Sequence, residues 1–184
     1  MTNTFHGEQV RLRAVEESDL EHFLLWNQDT DGARMGYEIP FPTSITAQRD
    51  WIQAQARGIG EGDVFRFIIE TFDGTVVGSL NTHSVNRRNG TFMYGVSIGT
   101  EHRKRGYASD AMRIVIRYFF NERGYQKVNA DVFAFNEPSM RLHERFGFTL
   151  EGRLRRMIFT NGTYHDELIY GMTREEFAER YPNL

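Results

Sequence analysis

The stretch Arg103-Lys104-Arg105-Gly106-Tyr107-Ala108 carries the most information about how this chain folds and what it binds. It lies between residues 92–98, which have the composition of a strand, and a segment whose apolar side chains recur at helical spacing. A helix start leaves backbone N–H groups unpaired and carries the positive end of the helix dipole, which favours phosphate. Glycine at position 106 lacks the Cβ that would hold an anion away from the backbone. Residues 103–109, which end at Ser109, are therefore predicted to bind a diphosphate.

The length and composition are those of one globular domain covering residues 1–184. Apolar residues make up 40% of the chain and aromatic residues 14%, which excludes a disordered protein. The formal net charge of -3 argues against nucleic acid as a partner. The sequence contains no cysteine, which agrees with a reducing cytoplasm, and no apolar run long enough to span a membrane. We therefore expect a cytoplasmic protein with neither a nucleic-acid nor a membrane partner.

The hydrophobic pattern predicts strands and helices in mixed order. The chain opens with a predicted strand at residues 10–15, followed by helices at 17–27 and 47–57. The connection between these helices, residues 28–44, contains glycine and proline and is predicted to be irregular. The remaining predicted elements are strands at 65–71, 75–83 and 91–98, a helix from residue 108, a strand at 128–135, a helix at 136–146 and a hairpin joining 148–159 to 164–172. This order predicts an α+β (mixed α/β) fold.

These residues resemble the GNAT superfamily of acetyl-coenzyme A dependent N-acetyltransferases, and within it the RimJ/RimL branch and the spermidine N-acetyltransferases. The most specific match is R-K-R-G-Y-A, which fits the superfamily's Gln/Arg-x-x-Gly-x-Gly/Ala phosphate loop at Arg103, Gly106 and Ala108. The similarity extends from V-R-L-R-A near residue 10 to N-G-T-Y-H-D-E-L near residue 161. It implies a central, mostly antiparallel sheet of about seven strands with a splayed parallel pair, flanked by helices. It also implies acetyl-coenzyme A as co-substrate.

The resemblance assigns a set of residues to the coenzyme. The phosphate loop would hold the pyrophosphate through backbone N–H groups, and the strand before it would pair edge-on with the pantetheine arm. In relatives, an Asn after the next strand and a small hydroxyl residue contact the pantetheine or the thiol end. The residues implied are Val96, Ser97, Ile98, Arg103, Lys104, Arg105, Gly106, Tyr107, Ala108, Ser109, Asn136 and Ser139. Asn136 is equally suited to cap the following helix, and Ser139 to a capping or solvent-facing position.

Two positions depart from the family pattern. Many relatives carry a Tyr seven residues after the Asn, where it protonates the departing thiolate, and this chain has His143 there. Imidazole can donate a proton near neutral pH, so we assign His143 and Ser139 as catalytic, with a packing role for His143 as the alternative. Relatives often carry a Glu at the position of Met93, and methionine cannot take a proton. The general base must then be another carboxylate, a chain of ordered water or bulk solvent.

The predicted reaction is direct attack of a neutral primary amine on the thioester while both substrates are bound. The amine belongs to a protein N-terminus or to a small molecule such as a polyamine. We assign Trp26, Tyr37 and Glu38 to acceptor binding, because residues 26–44 combine aromatic rings with acidic groups that include Asp29 and Asp31. The same aromatic residues would also serve to anchor the loop to the core.

Other functional classes receive less support from the sequence. The six histidines show no i, i+4 pairing, so no metal site is expected. A non-catalytic acyl-coenzyme A binding or sensor domain is the alternative to an enzyme, because Met93 and His143 replace two functional residues of the relatives. For the assembly we consider a homodimer.

Overall fold

The computed structural model describes residues 3–36, 39–58 and 62–184. Within these residues, one seven-stranded sheet forms the centre of the protein, with strand order β1-β2-β3-β4-β5-β7-β6. The strands are β1 (Val10–Ala14), β2 (Arg66–Thr71), β3 (Val76–Asn86), β4 (Thr91–Ile98), β5 (Lys127–Phe133), β6 (Thr149–Thr160) and β7 (Thr163–Thr173). Every neighbouring pair is antiparallel except β4 and β5, which are parallel. The predicted α+β fold with one parallel pair is therefore confirmed.

Helices cover both faces of the sheet. They are α1 (Leu20–Trp26), α2 (Thr30–Arg34), α3 (Ile45–Ala56), α4 (Tyr107–Asn121), α5 (Glu137–Phe146) and α6 (Arg174–Arg180). The larger core forms where α4, α5 and α6 bury apolar side chains against one face, and it includes Phe92 stacked on Phe119. A smaller core on the opposite face joins α1 and α3 to the sheet through Phe23, Ile52 and Ile68. Alternation along β2 supplies Ile68 to the smaller core and its neighbours Phe67 and Ile69 to the larger one.

Two elements differ from the sequence-based predictions. The predicted irregular connection contains α2, which begins after Asp29 because the Asp29 carboxylate accepts a hydrogen bond from the N–H of Gly32 at 2.8 Å. The last helix, α6, was not predicted, although Thr173 and Glu176 form a reciprocal capping box at its start. The remaining predicted helices and strands are present, with ends shifted by a few residues.

The parallel pair β4 and β5 separates soon after it forms. Pairing is limited to three positions, Thr91 with Lys127, Phe92 with Val128 and Met93 with Asn129. Beyond Met93, β4 continues beside β3 alone, while β5 continues beside β7. Among the described residues, no strand fills the space between them. A V-shaped cleft therefore opens from Met93 and Asn129 toward the carboxyl ends of both strands.

Candidate active site

The first wall of the cleft is the free edge of β4. Val96, Ser97 and Ile98 pair with β3 on one side and have no strand partner on the cleft side among the described residues. Alternate residues of a strand direct their N–H and C=O groups toward each edge, so part of this segment presents unpaired donors and acceptors to the cleft. Such an edge suits an extended chain with amide groups, which is the chemistry of a pantetheine arm.

The phosphate loop lies at the open end of this wall. Gly106 is the residue before the first turn of α4 and has φ +90°, a conformation that favours glycine. The first bond into the helix runs from the N–H of Asp110 to the carbonyl of Gly106, so the N–H groups of residues 107–109 have no acceptor within the helix. These exposed donors and the helix dipole fit a pyrophosphate, as the sequence predicts.

Two of the three loop cations already bind protein groups. The Arg103 guanidinium donates to the Ile98 carbonyl and to the Asp29 carboxylate, both at 3.1 Å. Arg105 donates to the carbonyl of Glu101 at 3.2 Å. Lys104 is exposed, has φ +64°, and forms no ion pair with the residues that the structure describes. Arg103 therefore holds the loop in place, while Lys104 keeps its charge free for an anion.

Asp110 in the first turn of α4 was not recognised from the sequence. Its buried carboxylate accepts hydrogen bonds from the backbone N–H groups of Glu8, Gln9 and Val10 at 2.7 to 3.1 Å, and from Arg113 at 3.0 Å. Burial opposes ionisation, but these donors together hold the pKa of the carboxyl below its ordinary value. The start of β1 is thereby tied to the helix that forms the phosphate loop. An acidic residue in the first turn of a helix was the only local signal.

Asn136 begins α5 at the end of β5, on the second wall of the cleft. Its Oδ1 accepts a hydrogen bond from the N–H of Ser139 at 3.1 Å, which confirms the capping role. Its Nδ2 donates to the carbonyl of Met35 at 2.7 Å. Both polar ends of the side chain are therefore engaged within the protein.

Residues 29–35, which we call the α2 strap, connect the two walls of the cleft. At one end, Asp29 contacts Arg103 and accepts a hydrogen bond from the Thr100 hydroxyl at 2.9 Å. At the other end, Met35 contacts Asn136, and the Arg34 guanidinium donates to Thr160 Oγ1 at 3.0 Å. The strap thus spans from the phosphate loop to α5 and the β6–β7 hairpin. The Asp29 carboxylate is engaged in this contact, and the interpretation that Asp29, Asp31 or Glu38 faces the acceptor's ammonium stays a prediction.

His143 lies inside the protein, with 4% of its surface exposed. Its Nδ1 donates to the backbone carbonyl of Ser139 at 2.8 Å, so Nε2 of the neutral ring accepts the hydrogen bond from Tyr94 Oη at 2.9 Å. Burial lowers the pKa of His143 below its ordinary value. The Ser139 hydroxyl lies 3.4 Å from Nδ1 and is the more accessible group. The structure therefore brings His143 and Ser139 together, with Tyr94 as a third member that the sequence did not reveal.

The acceptor residues predicted from the sequence are only partly within the described structure. Trp26 contacts Phe23 in the smaller core, and a Cβ on Gly99 would lie 3.2 Å from its Nε1, which places the indole edge beside the end of β4. Tyr37 and Glu38 lie outside the described residues. Phe41 is 93% exposed, so it does not anchor the loop to the core.

The opposite face of the sheet at the cleft carries polar groups around Met93. Met93 pairs with His83 on β3 and with Asn129 on β5, and Asp131 follows two residues later. Directly paired residues share a face of the sheet, so these side chains lie on the side away from α4 and α5. In the described parts of the chain, no group of three or more His, Asp or Glu residues is arranged to hold a metal ion. No helix there is long and apolar enough to cross a membrane.

Comparisons with known proteins agree with this geometry. The family model described as "Acetyltransferase (GNAT) domain" matches residues 9–149. A Bacillus subtilis protein named SPbeta prophage-derived uncharacterized N-acetyltransferase YokL is 42% identical over 93% of both chains. A second protein of that organism, named putative ribosomal N-acetyltransferase YdaF, is 28% identical over 93% of this chain and 94% of its own.

A solved structure shares the fold. Spermidine N-acetyltransferase from Vibrio cholerae, in complex with CoA and spermine, superposes with a TM-score of 0.82 at 23% identity, covering 92% of this chain and 98% of its own. The family model covers most of the chain and includes the cleft, the phosphate loop and α5. The chain therefore belongs to the GNAT acetyltransferase family and is an acetyl-coenzyme A dependent N-acetyltransferase.

Proposed function

We propose that the protein transfers the acetyl group to a cationic, aliphatic primary amine by direct attack within a ternary complex. The observation that carries this proposal is the separation of β4 from β5 next to the start of α4, because the cleft it creates has the predicted phosphate loop at its open end. Acetyl-coenzyme A supplies an activated thioester when bound. The chain's own part is to hold the coenzyme and the amine in line.

The coenzyme would be held by the residues that line this cleft. Residues 106–109 would bind the pyrophosphate through backbone N–H groups, with Lys104 as a free cation and Arg103 as the residue that fixes the loop. The edge of β4 at Val96, Ser97 and Ile98 would pair with the pantetheine arm. Asn136 and Ser139 are at the start of α5, where the second wall ends, and would contact the pantetheine or its thiol end.

Ser139 and His143 are proposed to protonate the departing thiolate. The Ser139 hydroxyl is accessible and His143 lies behind it, so the hydroxyl would contact the sulfur and the imidazole would restore its proton. This assignment retains both predicted catalytic residues and gives the buried histidine a route to the cleft.

The acceptor is proposed to enter on the face that carries Met93, with Trp26, Tyr37 and Glu38 as its predicted contacts. Two classes of amine remain in the proposal, because one relative is named a ribosomal acetyltransferase and the structural neighbour is a spermidine acetyltransferase with spermine bound. The Asp131 carboxylate, two residues beyond the β5 partner of Met93, favours a polyamine, which carries charge beyond its reacting nitrogen. A protein N-terminus is the second candidate.

The test measures thiol release from acetyl-coenzyme A with three acceptors: spermidine, a lysine-free peptide with a free N-terminus, and the same peptide with its N-terminus blocked. We expect release with spermidine or with the free peptide, none with the blocked peptide, and an acetylated amine detected by mass spectrometry. Binding of coenzyme A without thiol release from any amine would favour the binding or sensor domain instead.

A cytoplasmic homodimer completes the proposal. The absence of cysteine fits a reducing compartment. The edge strand β6 exposes Leu150, Leu154 and Met157, which are 52%, 41% and 56% exposed. A long edge strand with exposed apolar side chains is a surface that proteins normally cover, and a second copy would do so. Light scattering coupled to size-exclusion chromatography should give a dimer with twice the chain mass of 21.5 kDa. Leu154→Glu should weaken the dimer and shift the measured mass toward that of the monomer.

A further inference from the structure

The residue that takes the proton from the acceptor amine is not yet assigned, because Met93 stands where relatives often carry a glutamate. The register of the sheet shows what surrounds this methionine. Its direct neighbours are His83 on β3 and Asn129 on β5, and Asn129 is the last β5 residue paired with β4. Asp131, two residues further along β5, points to the same face and lies where the cleft has just opened.

Asp131 differs from most carboxylates of the chain in lacking a partner. Asp19, Asp63, Glu70, Asp110 and Asp166 each bind an arginine, and the pKa of each carboxyl is below its ordinary value. Asp131 forms no hydrogen bond or ion pair with the residues that the structure describes, and partial desolvation raises its pKa. Asp131 is an exposed residue just beyond the point where β4 and β5 separate, and it has no counter-charge among the residues that the structure describes.

The groups that face Asp131 are a histidine and a second carboxylate. From β3, His83 is half-buried, and burial keeps the pKa of its ring below the ordinary value although Asp131 acts in the opposite direction. From β7, Glu167 lies opposite Phe133, and burial followed by the charge of Asp131 raises the pKa of its carboxyl. On β4, the residue paired with His83 is Met93, which carries no charge. A neutral His83 leaves Asp131 free to pair with a cation from outside.

The backbone next to His83 is also distorted. The pairing of β3 with β4 shifts between His83 and Asn86, and Ser84 has φ +48°, a conformation that a serine seldom adopts. Bulges of this kind re-aim side chains and are frequent beside active sites. The bulge orients His83, whose Nδ1 lies 3.1 Å from Ser84 Oγ.

We propose that Asp131 is the catalytic base, which receives the acceptor's ammonium group and takes its proton in place of the glutamate that relatives carry at the position of Met93. This inference rests on the proposed function. One proton passes from the ammonium nitrogen to Asp131 and then to solvent. The nitrogen lone pair forms the C–N bond as the C–S bond breaks. Ser139 and His143 give one proton to the departing thiolate, and the second proton lost from nitrogen replaces it.

The experiment compares Asp131→Asn with Glu167→Gln, which removes the same charge from the same face. Turnover is measured by thiol release with spermidine between pH 7 and pH 10, and thermal shifts with coenzyme A verify folding and coenzyme binding. At neutral pH, Asp131→Asn should lose about 100-fold to 10,000-fold in kcat/KM, the range for removal of a general base. The difference in kcat/KM between Asp131→Asn and wild type should become smaller toward pH 10, because the amine then loses its proton to solvent. Glu167→Gln should lose less than about tenfold.

The outcomes separate this inference from the function on which it rests. If the wild-type protein is active and the kcat/KM of Asp131→Asn lies within about threefold of the wild-type value at neutral pH, Asp131 is not the base. The acetyltransferase activity would then stand without it. A loss that is the same at every pH would also overturn it, since Asp131 would then only attract the cation. A wild-type protein that binds coenzyme A and releases no thiol with any amine would overturn the proposed function itself.

Discussion

Asn136 and Met35 join the second wall of the cleft to the α2 strap, because the Asn136 amide donates a hydrogen bond to the Met35 carbonyl at 2.7 Å. The same side chain caps α5 through its oxygen. One residue therefore couples the α2 strap to the helix that carries Ser139 and His143.

Replacing Asn136 by Asp should separate these two roles. The carboxylate keeps the cap on Ser139 N–H but cannot donate to Met35, so the strap should loosen while α5 remains intact. We expect the KM for spermidine to rise about threefold to tenfold, which corresponds to the loss of one hydrogen bond, with little change in the melting temperature. Asn136→Ala is the matched control, and it should also cost about 1 kcal/mol of stability through the lost cap. An unchanged KM in both variants would show that the strap does not shape the acceptor site.

Replacing Gly106 by Val should abolish the thermal shift that coenzyme A produces. Valine is strained at φ +90°, so the loop backbone should change conformation. A Cβ there would also lie 2.9 Å from Gln9 Nε2, so the Gln9 side chain must shift. Gly74 provides a matched control, because it has the same φ but no atom within 4 Å of its Cβ position. Gly74→Val should lose similar stability and keep the coenzyme response. A full response in folded Gly106→Val would place the diphosphate site elsewhere.

The sequence predicted the parts of the site that depend on local chemistry. Gly106 before an amphipathic helix and Asn136 before a second one are recognisable because a cap and its helix are neighbours in the chain. The parallel, splayed pair of strands followed from the family resemblance. These features define where the coenzyme is expected to bind.

The parts that were missed depend on contacts between distant residues. Asp110 binds N–H groups about one hundred positions away, and Asp29 reaches Arg103 across 74 positions. Asp131 could not be placed beside Met93 before the register of the strands was known, since a shift of one residue turns a side chain to the other face. Pairing of this kind leaves no local pattern in a single sequence.

Replacing His143 by Gln should lower turnover by about tenfold to a thousandfold, because glutamine can hydrogen-bond but cannot relay a proton. Coenzyme affinity should change little. Tyr94→Phe removes only the hydrogen bond to Nε2 and is the matched test of packing, so it should lower stability more than turnover. Unchanged turnover in His143→Gln would reduce His143 to a packing residue.

The pH dependence of stability gives a second measurement. A lowered pKa means that His143 favours folding when its ring is neutral. The free energy of unfolding of the wild type should therefore decrease as the pH falls below about 6, and that of His143→Gln should decrease less.

Asp63 should account for part of the loss of stability in acid. It binds Arg87, Arg123 and Tyr125, and so ties the residues before β2 to the β3–β4 hairpin and the α4–β5 loop. Burial opposes ionisation, but the hydrogen bonds from Arg87, Tyr125 and Arg123 lower the pKa of its carboxyl from 3.8 to about 2. A lowered pKa stabilises the fold at pH values above the pKa of Asp63 in the unfolded chain, and this contribution disappears as the pH falls from about 4 toward 2.

Asp63→Asn should therefore reduce the free energy of unfolding by about 2 kcal/mol at neutral pH. In urea titrations the gap from wild type should close toward pH 2. Glu137→Gln removes an exposed carboxylate paired with Arg141 and should change stability by less than about 0.5 kcal/mol. If the difference in free energy of unfolding between wild type and Asp63→Asn stays constant down to pH 2, the variant destabilises the fold by altering packing or hydrogen bonding. The charge of Asp63 would then contribute nothing to stability in acid.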